Sequence, residues 1–126
     1  MISGDIKEFQ IETSSNYKGI QYSRALQGTR GWCTSKMDKE RWLMIDFIVA
    51  TTVQGVALHG WYNVNRMFFT SFVVMYGVNK KNMTAYAELR NYPKVFKIDT
   101  SQDEYTLQKF WFLSEIVARY LKIQII

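Results

Sequence analysis

The chain has 126 residues, the length of one domain, and a chain of this size can bury a hydrophobic core without disulfides or metals. Hydrophobic residues make up 48% and charged residues 21%, which excludes a disordered protein. The net charge of +5 permits an acidic partner without requiring nucleic acid, while one cysteine and one histidine exclude a disulfide framework, a cysteine-based zinc site and a histidine cluster.

Alternating apolar and polar residues predict a series of short β-strands. The first is Ile6 to Thr13, an edge strand that carries Phe9 and Ile11 inward. The only helical signal is a single turn near residues 22–26. Further strands, rich in β-branched and aromatic residues, are predicted at 42–48, 52–60, 68–77, 95–98 and 117–126. Many strands with little helix predict an all-β antiparallel sandwich or jelly roll, in which function usually lies in the end loops.

The whole chain, residues 1–126, is interpreted as a single domain without linkers or repeats. Its first residues lack the apolar core of a signal peptide. The longest uncharged stretch, Phe47 to Asn65, is interrupted by polar residues and glycines, whereas a transmembrane helix needs about 20 mostly apolar residues. We therefore expect no membrane-spanning segment here.

Seven short motifs occur in a distinctive order along nearly the whole chain. They are QIETSS at 10–15, SRALQG at 23–28, GWCTS at 31–35, ERWLMIDF at 40–47, VQGVALHG at 53–60, TSFVVMYG at 70–77 and ARYLKI at 118–123. Each motif is weak alone, but the ordered set resembles the discoidin domain, also called the coagulation factor V/VIII C-type domain, of the galactose-binding-like superfamily. The resemblance implies a non-catalytic antiparallel β-sandwich that recognises ligands through protruding loops.

The chain departs from this family in three respects. Family members commonly carry a cysteine pair at the two ends of the domain, whereas this chain has only Cys33. Phe47 and Ile48 stand where the family usually has Leu-Gly, and the sequence stops at Ile126 where family members run on through one more strand. The chain is therefore either a trimmed domain or a divergent, disulfide-free member.

Several residues suit structural roles in such a sandwich. Trp32 and Trp42 are bulky apolar anchors for the core, and Cys33 is interpreted as a small buried apolar residue rather than a reactive thiol. Asp46 lies within an apolar strand and needs a partner if it is buried. Arg119 in the last predicted strand is the natural candidate, the alternative being that both side chains face solvent.

An enzyme is the least favoured class. His59 is the only histidine and ends a predicted strand, so no base stands within reach of a nucleophile. The acidic stretch Asp99 to Glu104 could bind calcium through oxygen ligands, but it lacks the ordered spacing of a calcium loop. A solvated turn is the preferred interpretation, and no cofactor is predicted.

The resemblance places ligand recognition in three loops, 16–22, 61–67 and 79–86. Each loop mixes aromatic or apolar residues with basic residues and asparagine, which suits stacking on sugars or contact with an anionic membrane. The predicted ligand-binding residues are Tyr17, Lys18, Ile20, Tyr22, Trp61, Tyr62, Asn63, Arg66, Met67, Lys80 and Lys81.

Three functions remain open at this point. Glycan binding in cell adhesion, at the cell surface or in extracellular matrix, is preferred over binding to anionic phospholipid. A protein-interaction module within a larger assembly is the third alternative, because one fold serves many partners. The sequon Asn82-Met83-Thr84 points to an extracellular setting, and the lack of cysteine pairs also fits an intracellular one.

Overall fold

The computed structural model describes residues 6–16, 32–58, 69–101 and 106–126. These residues form antiparallel strands, which confirms the predicted all-β class. The strands are β1 Ile11–Thr13, β2 Trp42–Leu58, β3 Ser71–Gly77, β4 Thr84–Ala85, β5 Ala87–Leu89, β6 Tyr92–Pro93, β7 Phe96–Lys97 and β8 Gln108–Ile125.

The main sheet has the strand order β1-β2-β8-β3-β4, with β7 also paired to β3. The strand that comes last in the chain, β8, therefore lies between β2 and β3. Strands β5 and β6 form a separate hairpin in which Leu89 pairs with Tyr92. Every pairing is antiparallel, as expected for a sandwich built from hairpins and long crossovers.

Strands β2 and β8 have 17 and 18 residues and pair with each other along most of their length. Their register shifts between Asp46 and Thr51, and again between Val53 and Gly55. The first half of β2 pairs with the end of β8 beside β3, and the second half pairs with the start of β8. Phe72 of β3 contacts Phe110 of β8 in the core, with ring centroids 5.2 Å apart. The buried core consists of Phe72, Val74, Tyr86, Phe96, Phe112, Ile116, Leu121 and Ile123.

The long strands differ from the prediction in extent. Residues 42–48 and 52–60 were expected to form two strands, but they belong to one bulged strand that is described as far as Leu58. The strand predicted at 117–126 begins earlier, at Gln108, because its first half pairs with the second half of β2. The strand predicted at 95–98 is confirmed as Phe96–Lys97. The helical turn predicted near residues 22–26 lies outside the described residues.

The predicted edge strand Ile6 to Thr13 is only partly correct. Ile11 is buried, as predicted, but Phe9 is 74% exposed and does not point into the core. A 3₁₀ turn, Glu8–Gln10, precedes β1 and interrupts the alternation on which the prediction for Phe9 rested. The turn buries Gln10 instead, and its side-chain amide donates a 2.8 Å hydrogen bond to the carbonyl of Asp46.

The two tryptophans predicted as core anchors are half-buried, and neither belongs to the core cluster. The indole of Trp42 lies on the outer side of β2, where the Lys122 ammonium is 5.4 Å from its ring centroid. Trp32 lies in the segment before β2 and is described below. The core is filled by Tyr86 together with phenylalanine and aliphatic side chains from β3, β7 and β8, and both tryptophans lie outside this cluster.

The predicted pairing of Asp46 with Arg119 is confirmed. Arg119 donates to both carboxylate oxygens of Asp46, at 2.9 and 3.0 Å, and its guanidinium carbon lies 4.9 Å from the ring centroid of Tyr120. The hydrogen bonds from Arg119 lower the pKa of Asp46. The pair holds the bulge of β2 against β8, since Asp46 also accepts a 2.7 Å hydrogen bond from the backbone N–H of Ile48.

Within this bulge, Ile48 has a φ of 71°, a left-handed conformation that is unfavourable for a β-branched residue. We expect Ile48→Gly to raise the free energy of unfolding by about 0.5–1 kcal/mol. Relief of roughly 1–2 kcal/mol of strain exceeds the entropy that glycine adds to the unfolded chain, about 0.4–1 kcal/mol. Urea denaturation at low protein concentration measures the change. The neighbouring Val49→Gly is the control and should be destabilising by about 0.5–1 kcal/mol; a loss of stability in both variants would contradict the assignment of strain to Ile48.

Candidate functional site

A groove of about 450 Å³ opens beside the end of β8 and the start of β3. One wall comes from the segment that precedes β2, and the other comes from the residues that lead into β3. The described residues that line it are Trp32, Cys33, Thr34, Ser35, Lys36, Arg41, Phe69, Thr70, Ile125 and Ile126.

The wall before β2 is attached to the end of β1 by two serines. The backbone N–H of Ser14 donates a 2.9 Å hydrogen bond to the carbonyl of Trp42, and the Trp42 N–H donates to the Ser14 hydroxyl at 2.9 Å. The Ser15 hydroxyl accepts a 3.0 Å hydrogen bond from the backbone N–H of Ser35. Small polar side chains after a strand can bond neighbouring backbone in this way, so the pair Ser14-Ser15 fixes the lining residue Ser35.

Asp38 organises the same segment. Its carboxylate accepts hydrogen bonds from the hydroxyls of Ser14 and Ser15 and from the backbone N–H of Glu40 at 2.8 Å. Partial burial opposes ionisation of Asp38, but these hydrogen bonds outweigh it and lower the pKa of the carboxyl to about 2. The carboxylate is thus charged at neutral pH, and the segment from Ser35 to Arg41 closes around it.

Two aromatic side chains, those of Trp32 and Phe69, line the groove. The indole N–H of Trp32 donates a 2.9 Å hydrogen bond to the carbonyl of Ser15, which fixes the orientation of the ring. Phe69 packs edge-on against the core residue Phe72, with centroids 6.1 Å apart. Both rings are half-buried, so each keeps part of its surface available to a ligand.

The polar lining of the groove includes two positively charged side chains, both of them hydrogen-bond donors. Lys36 and Arg41 are exposed, and the Arg41 Nε is anchored by a 3.0 Å hydrogen bond to the carbonyl of Asp38. The backbone of Arg41 is held by a 2.9 Å bond from the Ile125 N–H to its carbonyl. Thr34 and Thr70 add hydroxyl groups, and no carboxylate side chain occurs among the described lining residues. Lys36 and Arg41 are therefore the charged side chains of the described lining.

Cys33 lines the groove and is half-buried. Burial raises the pKa of its thiol, because a desolvated thiolate is unfavourable. The thiol donates a 3.6 Å contact to the carbonyl of Thr34. These features agree with the predicted unreactive side chain, although the residue is less deeply buried than expected.

Most of the predicted ligand-binding residues lie outside the described part of the chain. The following lie outside the described residues: Tyr17, Lys18, Ile20, Tyr22, Trp61, Tyr62, Asn63, Arg66 and Met67. Their roles stay predictions. After the first of these two stretches the described chain resumes at Trp32, and after the second it resumes at Phe69. Both of these residues line the groove.

Lys80 and Lys81 are described, and they lie away from the groove. β3 has seven residues, so its two ends are about 20 Å apart. The groove-lining residues Phe69 and Thr70 precede the Ser71 end of β3, whereas Lys80 and Lys81 follow its Gly77 end.

Lys80 forms an ion pair with Glu12 of β1 and lies 5.8 Å from the ring centroid of Tyr120. The backbone N–H of Lys81 donates to the Asn79 side chain at 2.9 Å. Tyr86, which closes the third predicted loop, is buried in the core. Lys80 is thus engaged with the outer side of the sheet at this end.

Sequence reasoning did not identify Asp38, Lys36 or Arg41 as site residues. A signal for Asp38 existed, because an aspartate two residues before a backbone donor commonly forms a turn of the kind seen with Glu40. In the sequence, Lys36 and Arg41 have nothing to distinguish them from ordinary charged surface residues. The φ of 50° at Arg41, which sets its position beside β8, has no counterpart in the local sequence.

The described residues contain no group of three or more histidine, cysteine, aspartate or glutamate side chains suited to a metal ion. In the acidic stretch, Asp99 accepts hydrogen bonds from the N–H and hydroxyl of Ser101, at 3.0 and 2.6 Å, as in a solvated turn. Residues 102–105 lie outside the described part of the chain. Within the described ranges, no helix has the length and apolar character to cross a membrane.

Comparison with known proteins gives one family match and a set of similar structures. A family model described as "F5/8 type C domain" matches residues 6–126. Comparison with curated protein sequences gives no match.

Solved structures share the fold at low sequence identity. The family 32 CBM of NanJ from C. perfringens, in complex with galactose, is 20% identical with a TM-score of 0.70, covering 96% of this chain and 85% of that chain. Chitosan-binding module 1 of a Paenibacillus sp. IK-5 chitosanase/glucanase is 18% identical with a TM-score of 0.61, covering 91% and 80%. The CBM32 of AlyQ, in complex with 4,5-unsaturated mannuronic acid, is 19% identical with a TM-score of 0.56, covering 90% and 78%.

Proposed function

Because the chain belongs to the F5/8 type C domain family, we propose that it is a non-catalytic recognition domain that binds a carbohydrate in the groove between Trp32 and Phe69. The observation that carries the proposal is the composition of this groove. It combines two aromatic walls with a set of donors that have no acidic neighbour among the described lining residues.

This composition matches the chemistry of a sugar. The C–H surface of a pyranose ring stacks on aromatic faces such as those of Trp32 and Phe69. Sugar hydroxyls accept hydrogen bonds from Lys36 and Arg41 and bond to threonine hydroxyls. The positive charge further favours sugars that carry a carboxylate. The galactose and mannuronic acid named for the similar modules support the ligand class.

We expect Trp32→Ala to weaken glycan binding at least tenfold, which corresponds to about 1.4 kcal/mol of lost stacking and burial. Binding is measured in solution by isothermal titration calorimetry, with a ligand chosen from a glycan array. Trp111→Ala is the matched control, because Trp111 is an exposed tryptophan on β8 that does not line the groove. Equal glycan affinity of the Trp32→Ala variant and the unmodified chain would show that the glycan does not bind in this groove.

Occupancy of the groove should also protect Cys33 from alkylation. A ligand between Trp32 and Phe69 covers the thiol, so a saturating glycan is expected to slow its reaction with iodoacetamide several-fold. Because burial raises the thiol pKa, the reaction without ligand should be slow at neutral pH and accelerate in alkaline buffer. Mass spectrometry follows this single site without any substitution, since Cys33 is the only cysteine. An alkylation rate indifferent to a glycan that binds would place the ligand elsewhere.

The cell-surface and adhesion setting is part of the same proposal. Asn82 of the sequon lies in an exposed turn after β3, and Thr84 is exposed at the start of β4. Asn82 is thus accessible to N-glycosylation if the chain is secreted. Phosphatidylserine liposomes provide the competing test: binding to them that falls with salt and persists in Trp32→Ala would favour a membrane partner over a glycan.

A further inference from the structure

Two side chains of the groove carry a positive charge that the protein does not pair with a carboxylate. Lys36 and Arg41 both line the groove, and both are exposed. None of the ion pairs among the described residues includes either of them. A cation at the edge of a cavity with no carboxylate bound to it is available to an anionic group of a ligand.

The acidic residues that shortly precede Arg41 are bound to other groups. The carboxylate of Asp38 accepts hydrogen bonds from two serine hydroxyls and from the backbone N–H of Glu40. The carboxylate of Glu40 accepts a 3.2 Å hydrogen bond from the indole N–H of Trp42. Neither carboxylate forms an ion pair with the Arg41 guanidinium, although both are close to it in the sequence.

Arg41 is the better held of the two cations, because its backbone and its side chain are both anchored. Its carbonyl accepts a 2.9 Å hydrogen bond from the N–H of Ile125, and its Nε donates a 3.0 Å hydrogen bond to the carbonyl of Asp38. These contacts leave the two terminal amino groups of the guanidinium without a partner among the described residues. Two such donors side by side bind both oxygens of a carboxylate at once, which the ammonium of Lys36 cannot do.

The strand order separates Arg41 from the aromatic and hydroxyl groups on the other side of the groove. Arg41 is hydrogen-bonded to Ile125 of β8, and Ile125 pairs with Phe72 of β3. Neighbouring strands are about 4.8 Å apart, so the backbones of Arg41 and Phe72 are roughly 10 Å apart. Phe69 and Thr70, which line the groove, lie just before Phe72. The groove thus has a cation on one side and an aromatic ring with a hydroxyl on the other.

A uronic acid carries the complementary groups on a single ring. It has a C–H face for the aromatic side chains, hydroxyls for threonine, and a carboxylate for a guanidinium. A neutral sugar would use the first two contacts and leave the Arg41 donors without an acceptor. The difference between the two ligands is therefore confined to one charged contact.

We propose that the groove selects sugars that carry a carboxylate, and that Arg41 is the residue that determines this selectivity. The proposal rests on the proposed function, because the acidic sugar occupies the same groove. Lys36 adds a second positive charge to the lining but no paired donors.

Isothermal titration calorimetry of the full chain tests this selectivity with galacturonic, glucuronic and mannuronic acid trimers and the methyl ester of each. Esterification removes the charge and keeps the rings. At neutral pH, at least one acid is expected to bind tenfold or more tightly than its ester. Arg41→Gln should abolish this preference and leave the affinity for the ester within about twofold. Arg41→Lys, which keeps the charge but not the paired donors, should retain only part of it.

Arg90→Gln is the matched control for Arg41→Gln. Arg90 is also exposed and has a φ of 53°, close to the 50° of Arg41, but it does not line the groove. This variant should keep the full preference for the acid. Circular dichroism establishes that all the variants fold. A preference for the acid that persists in Arg41→Gln, or that Arg90→Gln reduces equally, would overturn the role of Arg41.

Failure of this proposal can be distinguished from failure of the proposed function. Equal affinity for acids and esters, with binding of both weakened by Trp32→Ala, would overturn the selectivity and leave carbohydrate binding in the groove intact. Tighter binding of galactose 6-sulfate than of every uronic acid would overturn the choice of a carboxylate. If neither these compounds nor any neutral glycan of an array binds, both proposals are wrong.

Discussion

Phe72→Ala is expected to lower the free energy of unfolding by about 3–5 kcal/mol, the usual cost of deleting a buried aromatic side chain. Phe72 has no exposed surface, and its ring contacts three other phenylalanines in the centre of the sandwich. Urea denaturation followed by circular dichroism measures the change. Phe9→Ala, at a residue that is 74% exposed, is the control and should change stability by less than about 0.5 kcal/mol.

The same substitution should also affect the groove. Phe69 lines the groove and packs edge-on against Phe72, so removal of the ring takes away its support. We expect weaker glycan binding even under conditions in which the variant is fully folded, and Phe72→Leu should have an intermediate effect on both properties. A loss of less than about 1 kcal/mol in Phe72→Ala would mean that the core collapses around the cavity and is less rigid than described.

Asp38→Ala is expected to lower the free energy of unfolding by about 2 kcal/mol and to abolish detectable glycan binding. The carboxylate joins Ser14, Ser15 and Glu40, and its removal leaves their hydrogen-bond donors without their acceptor. The segment that carries Trp32, Lys36 and Arg41 would lose its attachment to β1. Denaturation and calorimetric titration measure the two effects. Asp99→Ala is the control, because Asp99 accepts similar hydrogen bonds from Ser101 in an exposed turn away from the groove.

The pH dependence gives this prediction a second readout. The pKa of Asp38 is about 2 in the folded chain against an ordinary value of 3.8, so the folded state favours the charged form. The stabilisation by Asp38 is therefore fully present above about pH 4 and is lost as the pH falls towards 2. The difference in stability between the unmodified chain and Asp38→Ala should narrow over this range. A difference that stays constant down to pH 2 would show that the carboxylate charge contributes nothing.

The sequence predicts the fold well because its motifs extend along the whole domain. A charged residue within an apolar strand needs a partner if it is buried, and this rule made Arg119 the candidate partner of Asp46, which the structure confirms. The limits of β2 and β8 were less predictable. Their bulges depend on contacts between strands that are distant in the sequence, so local alternation indicated two short strands where one continues.

The groove was harder to predict than the fold. Trp32 is a bulky aromatic residue of the kind usually found in a core, so the sequence predicted it there. Its position in the groove depends on a hydrogen bond to the carbonyl of Ser15, which the sequence does not indicate. Arg41 gains its position from a left-handed backbone and from the carbonyl of Asp38. Phe9 was predicted to be inward because a 3₁₀ turn of three residues has no distinct signal within an alternating stretch.

The central place of β8 in the sheet has a consequence for biosynthesis. Until Gln108–Ile125 has emerged from the ribosome, β2 and β3 lack the strand that lies between them, and the nascent chain cannot complete its main sheet. The earlier strands must wait with unpaired backbone and exposed apolar side chains, a condition that favours aggregation and chaperone binding. Folding of this domain is therefore expected to finish only after β8 has emerged, since this strand completes the main sheet.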